Sequence, residues 1–342
     1  MDKKKKKILI SLTAIFFIVC IAGIGTFYYY LLYPQFHPAK TVYVYVDRDD
    51  TADSIYNKVK AKGHPGNLTG FRWMAKYREL EKTIHTGRYA IRPRENVYHV
   101  YSRISRGYQE PVNLTIGSVR TLDRLAHNVA KQLMIDSIEI ATLLFDSTFQ
   151  QKMGYDKETM ACMFIPETYQ VYWDMSADSF FERMQKEHKR FWNDERLAKA
   201  QAIGMTPEEV CTLASIVEEE TNNNGEKPMV AGLYINRLQR GMPLQADPTI
   251  KFALQDFGLR RITNENLRVE SPYNTYINTG LPPGPIRIPS TKGIDSVLNY
   301  AKHNYIYMCA KEDFSGTHNF ASNYTDHMAN ARKYWKLSLI HI

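Results

Sequence analysis

Three consecutive glutamates, Glu218, Glu219 and Glu220, end a stretch that otherwise has the composition of an apolar helix, "LASIVEEET". Burial raises the pKa of a carboxylic acid, and an acid that keeps its proton near neutral pH can protonate a glycosidic oxygen. With a rotation of about 100° per residue, Glu219 falls nearly opposite the apolar stripe and is expected to face water. Glu218 and Glu220 fall on the two borders of that stripe, so these two are the candidates for acid chemistry.

The neighbours of the two border residues favour Glu218 as the acid without excluding the alternatives. Glu218 shares its border with three small residues, Cys211, Ala214 and Ser215, which leave room for a ligand or another element to approach. Glu220 shares its side with larger apolar residues and is expected to make a structural bond to a backbone amide or an arginine. A third interpretation stays open, in which all three glutamates are surface charges.

Asp247, in the segment "LQADPT", is the nearest candidate for a second carboxylate. Ordinary glycoside hydrolysis uses two carboxyl groups, one as the acid and the other as nucleophile or base. An aspartate that precedes proline more often starts a turn. The sequence therefore offers both a catalytic and a structural interpretation of Asp247.

The motifs of several other enzyme classes are absent: there is no glycine-rich phosphate loop, no GxSxG and no HExxH. His318 and His327 are nine residues apart and are expected to be structural histidines, not metal ligands. Beyond the first apolar segment the cysteines are Cys162, Cys211 and Cys309, whose spacing allows one disulfide and argues against a metal site. We predict a protein without metal or cofactor.

Half of the net charge of +8 lies in the first seven residues, where five lysines, Lys3 to Lys7, and Asp2 precede an apolar run. The rest of the sequence has no basic stripe, which argues against a nucleic-acid partner. The lysines instead indicate the cytoplasmic flank of a membrane anchor.

The apolar run has no charged residue from Ile8 to Tyr33, and about 20 apolar residues suffice for a helix that crosses a bilayer. Tyrosines at 28–30 and 33 suit an interfacial aromatic belt, and the positive-inside rule puts the N-terminus in the cytoplasm. A cleaved signal peptide is the alternative, but the run is long for one and no small-residue cleavage site follows. We expect a basic tail over residues 1–7 and an uncleaved anchor over residues 8–33.

The next predicted parts are a linker over residues 34–40 and a small module over residues 41–110. The module repeats a strand, a polar turn and a helix, as in "TVYVYVDRDDTADSIYNKVKAKG" and "GRYAIRPRENVYHVYSRISRG". Units of this kind pack as a compact α+β domain. Outside a membrane such a domain is either a spacer or a wall-binding module, and the pattern supports both equally.

Residues 111–337 are predicted to be mainly helical, with a long ordered loop at "ESPYNTYINTGLPPGPIRIPS". The clearest helix start has Thr206 as N-cap, Pro207 as the first helical residue and Glu209 completing a capping box. Residues 338–342 are left unassigned. The predicted fold class is α+β, with an N-terminal transmembrane helix, a small α+β module and a larger, mainly helical α+β domain.

Four ordered segments resemble one known family. The segments "LASIVEEET", "INRLQRGMPLQADPTIKFAL", "SPYNTYINTGLPPGPIRIPS" and "HNFASNYTDH" resemble, in this order and spacing, the membrane-bound endolytic murein transglycosylases, the MltG or YceG-like family. The resemblance implies that residues 41–110 form a LysM-like domain and residues 111–337 a catalytic transglycosylase domain. It also implies that Glu218 is the catalytic acid and base. The residues that would shape the glycan groove are Glu220, Asn236, Arg237, Gln245, Asp247, Tyr273, Asn274, Thr275 and Tyr276.

The function implied by the resemblance is cleavage of the bond between N-acetylmuramic acid and N-acetylglucosamine in nascent peptidoglycan. The products would carry 1,6-anhydro ends, and cleavage would terminate strand elongation. The expected location is the inner membrane, with the catalytic domain outside the cytoplasm and peptidoglycan synthases as partners. Two alternatives stay open: a muramidase in which Asp247 helps water to attack, and a non-catalytic wall-binding scaffold.

Overall fold

The computed structural model describes residues 3–313 and 315–338, which divide into two compact units. The first unit comprises residues up to 113 together with residues 170–175, and the second comprises residues 114–169 and those from 176 onward. Helices predominate, and short antiparallel strands accompany them. The predicted α+β class is confirmed.

The first unit begins with a long apolar helix, α1 (Lys3–Phe27), which continues through a π-helical segment, Tyr28–Leu32. No side chain of α1 is buried by the rest of the protein. By its length and composition, the helix from Lys3 to Leu32 is able to cross a membrane. It coincides with the predicted anchor, apart from a few residues at its ends.

Five further elements form the compact part of the first unit: β1 (Val42–Val46), α2 (Ala52–Gly63), α3 (Thr69–Tyr77), β2 (Gly87–Ile91) and α4 (Val97–Ser105). The strands pair antiparallel, with Val42 opposite Ile91 and Val46 opposite Gly87. Helix α2 starts at Thr51, whose hydroxyl accepts a bond from the Ser54 amide in a capping box. Inward residues of both strands and three helices enclose one apolar core.

The segment predicted as a linker packs into this unit. Phe36 is fully buried in the core and forms an isolated bridge with Pro65, and Pro34 forms another with Asn96. Helix α3 lies directly against the end of the apolar helix: a Cβ atom on Gly70 would lie 2.1 Å from the carbonyl oxygen of Tyr30. Only glycine permits this approach, so the helix end and the module are packed together.

We expect Gly70→Ala to lower the stability of α3 and of its contact with residues 28–32 by about 1–3 kcal/mol, since the added methyl group meets backbone that must shift. Gly23→Ala is the matched control, because its Cβ would meet nothing within 4 Å. Hydrogen–deuterium exchange of the full chain in nanodiscs measures the effect. Unchanged protection of α3 in the Gly70 variant would contradict the close packing.

From residue 112 onward the chain forms four strands and ten helices within the described residues. They are β3 (Val112–Thr115), α5 (Leu122–Ala130), α6 (Ser137–Phe145), α7 (Ser147–Met153), β4 (Thr168–Val171), α8 (Ala177–Phe191), α9 (Asp194–Ala202), α10 (Pro207–Glu220), α11 (Lys227–Gln239), α12 (Asp247–Ala253), α13 (Thr291–Leu298), β5 (Tyr307–Ala310), β6 (His318–Ala321) and α14 (Tyr324–Ser338). Strand β3 pairs with β4, and β5 with β6.

Helix α10 is the central element of the second unit. The predicted capping box is confirmed: the Thr206 hydroxyl accepts a bond from the Glu209 amide, and the Glu209 carboxylate accepts one from the Thr206 amide. Every residue from Val210 to Val217 is buried, so the helix is enclosed on all sides and not along one stripe. Helices α11 and α13 contribute to the same apolar core.

Candidate active site

The second unit contains a cavity of about 410 Å³ beside the end of α10. Its wall combines carboxylates, tyrosines and histidines with a few apolar side chains. The lining residues are Glu220, Leu233, Tyr234, Arg237, Leu244, Gln245, Asp247, Tyr276, Tyr307, Met308, Cys309, Ala310, His318, Tyr324 and His327. A polar cavity with several aromatic rings suits a sugar, which offers hydroxyl groups and apolar ring faces.

Glu220, the last residue of α10, faces this cavity and has an unusual environment for a carboxyl group. The Tyr234 hydroxyl donates to its Oε1 at 2.6 Å. Burial, with the nearby charges of Asp247 and Glu219, raises the pKa of Glu220 to about 7, although Tyr234 and His318 act in the opposite direction. No Lys or Arg among the described residues forms an ion pair with Glu220. A carboxyl group with this pKa is able to donate a proton near neutral pH.

Asp247 lies on another wall of the same cavity, at the start of α12. Its Oδ1 accepts a hydrogen bond from the Tyr276 hydroxyl. The sequence suggested a turn before Pro248, and the structure has a helix start there, with proline in the first turn. Asp247 thus reaches the site together with Glu220, and its negative charge contributes to the high pKa of that residue.

Arg237 stabilises the cavity wall through three hydrogen bonds that its guanidinium group donates. It donates to the carbonyl oxygens of Pro243 and Ile306 and to Oε1 of Gln245, at 3.0, 3.0 and 2.6 Å. Gln245 has a φ of 52°, in the left-handed region. The bond from Arg237 therefore helps to hold a strained loop residue whose side chain faces the cavity.

Four of the residues predicted to shape the groove do not line the cavity: Asn236, Tyr273, Asn274 and Thr275. Asn236 instead bonds to the carbonyl oxygens of His303 and Tyr305, at 2.7 and 2.9 Å. It therefore ties helix α11 to the segment that leads into β5.

The other three hold the loop that carries Tyr276. Asn274 is fully buried, and its Oδ1 accepts a bond from the Tyr276 amide. The Thr275 hydroxyl accepts a bond from the Ala246 amide at 3.0 Å. Tyr273 packs its ring on Phe252, with the centroids 4.7 Å apart. These contacts position a cavity residue, and they explain why the predicted long loop is ordered.

Glu218 is not among the residues that line the cavity. Its Oε2 accepts bonds from the Lys227 ammonium at 3.0 Å and from the Ser290 hydroxyl at 2.8 Å. A Cβ atom on Gly293 would lie 2.6 Å from the same oxygen. Ser290 caps α13, and Lys227 starts α11. Glu218 thus joins three helices of the core.

The expectation that Glu219 faces water is wrong. Arg120 donates two hydrogen bonds of 2.7 Å to the Glu219 carboxylate, and Arg287 donates a third of 2.8 Å. The side chain is only 11% exposed. Burial acts to raise the pKa of Glu219, but the bonds and charges of the two arginines outweigh it and hold the pKa below its usual range. The error has a physical cause, since α10 is covered on the side opposite its apolar stripe as well.

Sequence reasoning missed several residues that line the cavity. Tyr234 directly precedes the segment "INRLQRG" and was not predicted as a site residue, although its hydroxyl donates a hydrogen bond to Glu220. His318 and His327 were expected to be structural, yet both face the cavity. The segment "HNFASNYTDH", one of the four that resemble the family, could have identified these residues, because it brings both histidines and Tyr324 to one wall of the cavity.

The described residues contain no cluster of three or more His, Cys, Asp or Glu side chains that could hold a metal ion. Cys162 and Cys211 are buried free thiols, and Cys309 is a partly buried one. The disulfide that the sequence allowed is therefore not formed.

Comparison with known proteins identifies the relatives of this chain. The model of the YceG-like family matches residues 44–333. An endolytic murein transglycosylase of Bacillus subtilis is 25% identical over 291 residues, which cover 81% of this chain and 75% of the relative. A protein of the same name from Streptococcus pneumoniae strain D39 is 27% identical over 295 residues, or 77% of this chain. The chain spans about half, 53%, of that pneumococcal relative.

A crystal structure of a YceG-like protein from Listeria monocytogenes is also similar. Its TM-score is 0.55 at 26% identity, and the match covers 85% of this chain and 99% of the Listeria chain. The similarity extends over both units described above.

We expect Glu219→Gln to lower the free energy of unfolding by about 1–3 kcal/mol at pH 7, because Arg120 and the half-buried Arg287 lose a charged acceptor. The pKa of Glu219 is lowered from an unfolded-state value of 4.5. The contribution of Glu219 to the free energy of unfolding is therefore complete above that pH, and it is lost as the pH falls through the folded-state pKa. Urea unfolding at pH 7 and pH 3 measures this dependence.

Glu195→Gln is the matched control for this experiment. Glu195 pairs with Lys199 on the surface of α9 and is 73% exposed, so its replacement should cost little. Equal effects of the two substitutions at pH 7 would contradict a structural role for the Glu219 ion pairs.

Proposed function

The chain belongs to the YceG-like family, and from this membership and the environment of Glu220 we propose that it is an endolytic murein transglycosylase. Relatives that carry this name match most of the chain. The enzyme would act within peptidoglycan strands, on the bond between N-acetylmuramic acid and N-acetylglucosamine. The observation that carries the proposal is a half-buried glutamate with a pKa of about 7 on the wall of a polar cavity.

Glu220 would supply the first proton transfer. It would protonate the glycosidic oxygen as the bond to C1 of the muramic acid residue breaks. The C6 hydroxyl of the same sugar would then attack C1 and lose its proton, which closes a 1,6-anhydro ring. Because this nucleophile belongs to the substrate and lies close to C1, no activated water is needed. A second enzymic carboxylate at glycosidase spacing is therefore not required.

Assigning the acid role to Glu220 departs from the prediction based on resemblance, which gave that role to Glu218. Glu218 accepts bonds from Lys227, which is only 3% exposed, and from Ser290. Such partners support a structural role, whereas the environment of Glu220 supports proton donation. Glu218 as the acid remains a prediction that the same experiment tests.

The other cavity residues would bind the glycan. Arg237 and Gln245 form one braced wall, and Asp247 with Tyr276 forms a hydrogen-bonded pair on another. The half-buried Asn236 and the buried Asn274 and Thr275 would contribute indirectly, by holding the chain segments that carry these groups. Tyr273 would support the same loop through Phe252.

The setting we propose is a cell membrane, with the helix from Lys3 to Leu32 as a single-pass anchor and the catalytic unit outside the cytoplasm. The five lysines before the apolar run support this orientation. An anchored enzyme would reach strands close to the membrane, so nascent peptidoglycan is the natural substrate and peptidoglycan synthases are natural neighbours. Residues 41–110 would form a LysM-like, wall-binding module, for which the small sheet covered by helices is a suitable scaffold.

Two replacements test the catalytic assignment. We expect Glu220→Gln to lower the release of anhydro-ended fragments from purified peptidoglycan by about 10²–10⁴-fold, because glutamine cannot donate the proton. Glu218→Gln should keep the chemistry and lose stability, because Lys227 loses its partner. Mass spectrometry of the released fragments, beside a thermal melt of each variant, is the measurement.

Each alternative gives a different result in this digest. Loss of cleavage in a folded Glu218→Gln protein, with cleavage kept in Glu220→Gln, would return the acid role to Glu218. Reducing ends in place of anhydro ends from the wild-type enzyme would indicate a muramidase. Fragment release by the wild-type protein that does not exceed a protein-free control would indicate a non-catalytic scaffold.

The pH dependence provides a separate test of Glu220. An acid with a pKa of about 7 loses its proton above that pH, so kcat/KM should fall about tenfold per pH unit on the alkaline side. Initial rates of anhydro-end formation between pH 5 and 9 measure this limb. A rate that stays constant up to pH 9 would contradict the assignment.

A further inference from the structure

Glu226 and His318 form a buried hydrogen-bonded pair beside the proposed site. The Glu226 Oε1 accepts a bond from the His318 backbone amide at 2.6 Å, and its Oε2 accepts one from the His318 ring at Nδ1, at 3.1 Å. The side chains are 8% and 16% exposed. Two bonds from one residue to one carboxylate fix both the position and the orientation of the imidazole.

The same carboxylate links His318 to the end of α10. The Thr221 hydroxyl donates to Glu226 Oε2 at 2.8 Å, and Thr221 directly follows Glu220 in the chain. His318 and Glu220 line one cavity, and His318 is close enough to influence the pKa of Glu220. The imidazole is therefore held at a defined place near the proposed acid.

The bond to Glu226 also determines which ring nitrogen is free. An ionised carboxylate can only accept hydrogen bonds, so the bond to Glu226 requires that Nδ1 carries the hydrogen. Nε2 of the neutral ring then has a lone pair. Within residues 3–313 and 315–338, no side chain or backbone group bonds to Nε2 of His318. The ring therefore offers the cavity an unused proton acceptor.

His303 shows how a structural histidine of the same unit differs. Its Nε2 bonds to the Met229 carbonyl oxygen at 2.9 Å, and its Nδ1 accepts a bond from the Tyr305 amide at 3.0 Å. Both nitrogens are occupied by backbone, and none remains for a ligand. His318 lines a cavity and has one ring nitrogen held by a carboxylate and the other without a hydrogen-bond partner among the described residues, which is an arrangement suited to a general base.

We propose that His318, oriented by Glu226, is a second catalytic residue that removes the proton from the C6 hydroxyl of the muramic acid residue. This inference rests on the proposed transglycosylase function and divides its two proton transfers between two residues. The bond from C1 to the leaving oxygen breaks as Glu220 protonates that oxygen. The bond from C1 to O6 forms as Nε2 of His318 takes the hydroxyl proton. Transfer of that proton through water back to Glu220 restores the enzyme.

The test uses the full chain in nanodiscs and purified glycan strands, with kcat and KM measured for anhydro-end formation. We expect His318→Ala to lower kcat by about 10²–10³-fold with KM changed only a few-fold, because general-base catalysis is lost. Added imidazole should restore about tenfold or more of the lost rate, since the shortened side chain leaves space for it in the cavity. Glu226→Gln should lower kcat about tenfold, because the ring loses its charged acceptor.

The matched control is His127→Ala, the same change at an exposed histidine on α5, which should keep wild-type kcat. Wild-type kcat in His318→Ala, or a loss in folded protein that imidazole does not restore, would overturn the inference. If His318→Ala does not fold, an unchanged kcat in Glu226→Gln overturns it instead. If the wild-type enzyme itself forms no anhydro ends, the proposed transglycosylase function is wrong. This result is distinguishable from the two outcomes that would overturn only the role of His318.

Discussion

The half-buried end of α10, with its three adjacent glutamates, is the constraint on which the second unit depends. Folding removes three adjacent carboxyl groups from much of their contact with water. Each then needs a partner, because an unpaired charge away from water is costly. The protein solves the problem in three ways. Within the described part of the chain, Glu218 accepts bonds from a buried lysine and a hydroxyl, Glu219 from two arginines, and Glu220 from one phenol. Burial raises the pKa of Glu220, whereas the two arginines outweigh burial at Glu219 and lower its pKa.

This distribution of partners also builds the surrounding architecture. Lys227 and Ser290 bring the starts of α11 and α13 against α10, while Arg287 brings the long loop to the same helix end. The helix that carries the proposed acid is therefore held by ionic contacts on the sides away from the cavity. A carboxyl group held in this way keeps its position without a cation at its own oxygens, and it can retain a raised pKa.

Local signals in the sequence predicted the local structure well. The capping box at Thr206 marked the start of α10, the uncharged run marked the apolar helix, and the aromatic residues of the long loop indicated an ordered segment. Helical rotation could not rank the three glutamates, because it compares the sides of one helix and assumes that one side faces solvent. The partners that decide the ranking are Arg120, Tyr234 and Arg287, and they come from segments that only the tertiary fold brings together. For the same reason, sequence reasoning gave His318 no role beside Glu220.

The close approach of Gly70 to Tyr30 has a mechanical consequence for the first unit. An apolar helix adapts to a bilayer thinner or thicker than its own length mainly by tilting. A flexible tether would absorb that tilt, but here α3 is packed on the helix end, and Pro34 and Phe36 form bridges with the module. In the membrane setting proposed above, the module would turn together with the helix, so the thickness of the bilayer would set the direction in which the module faces.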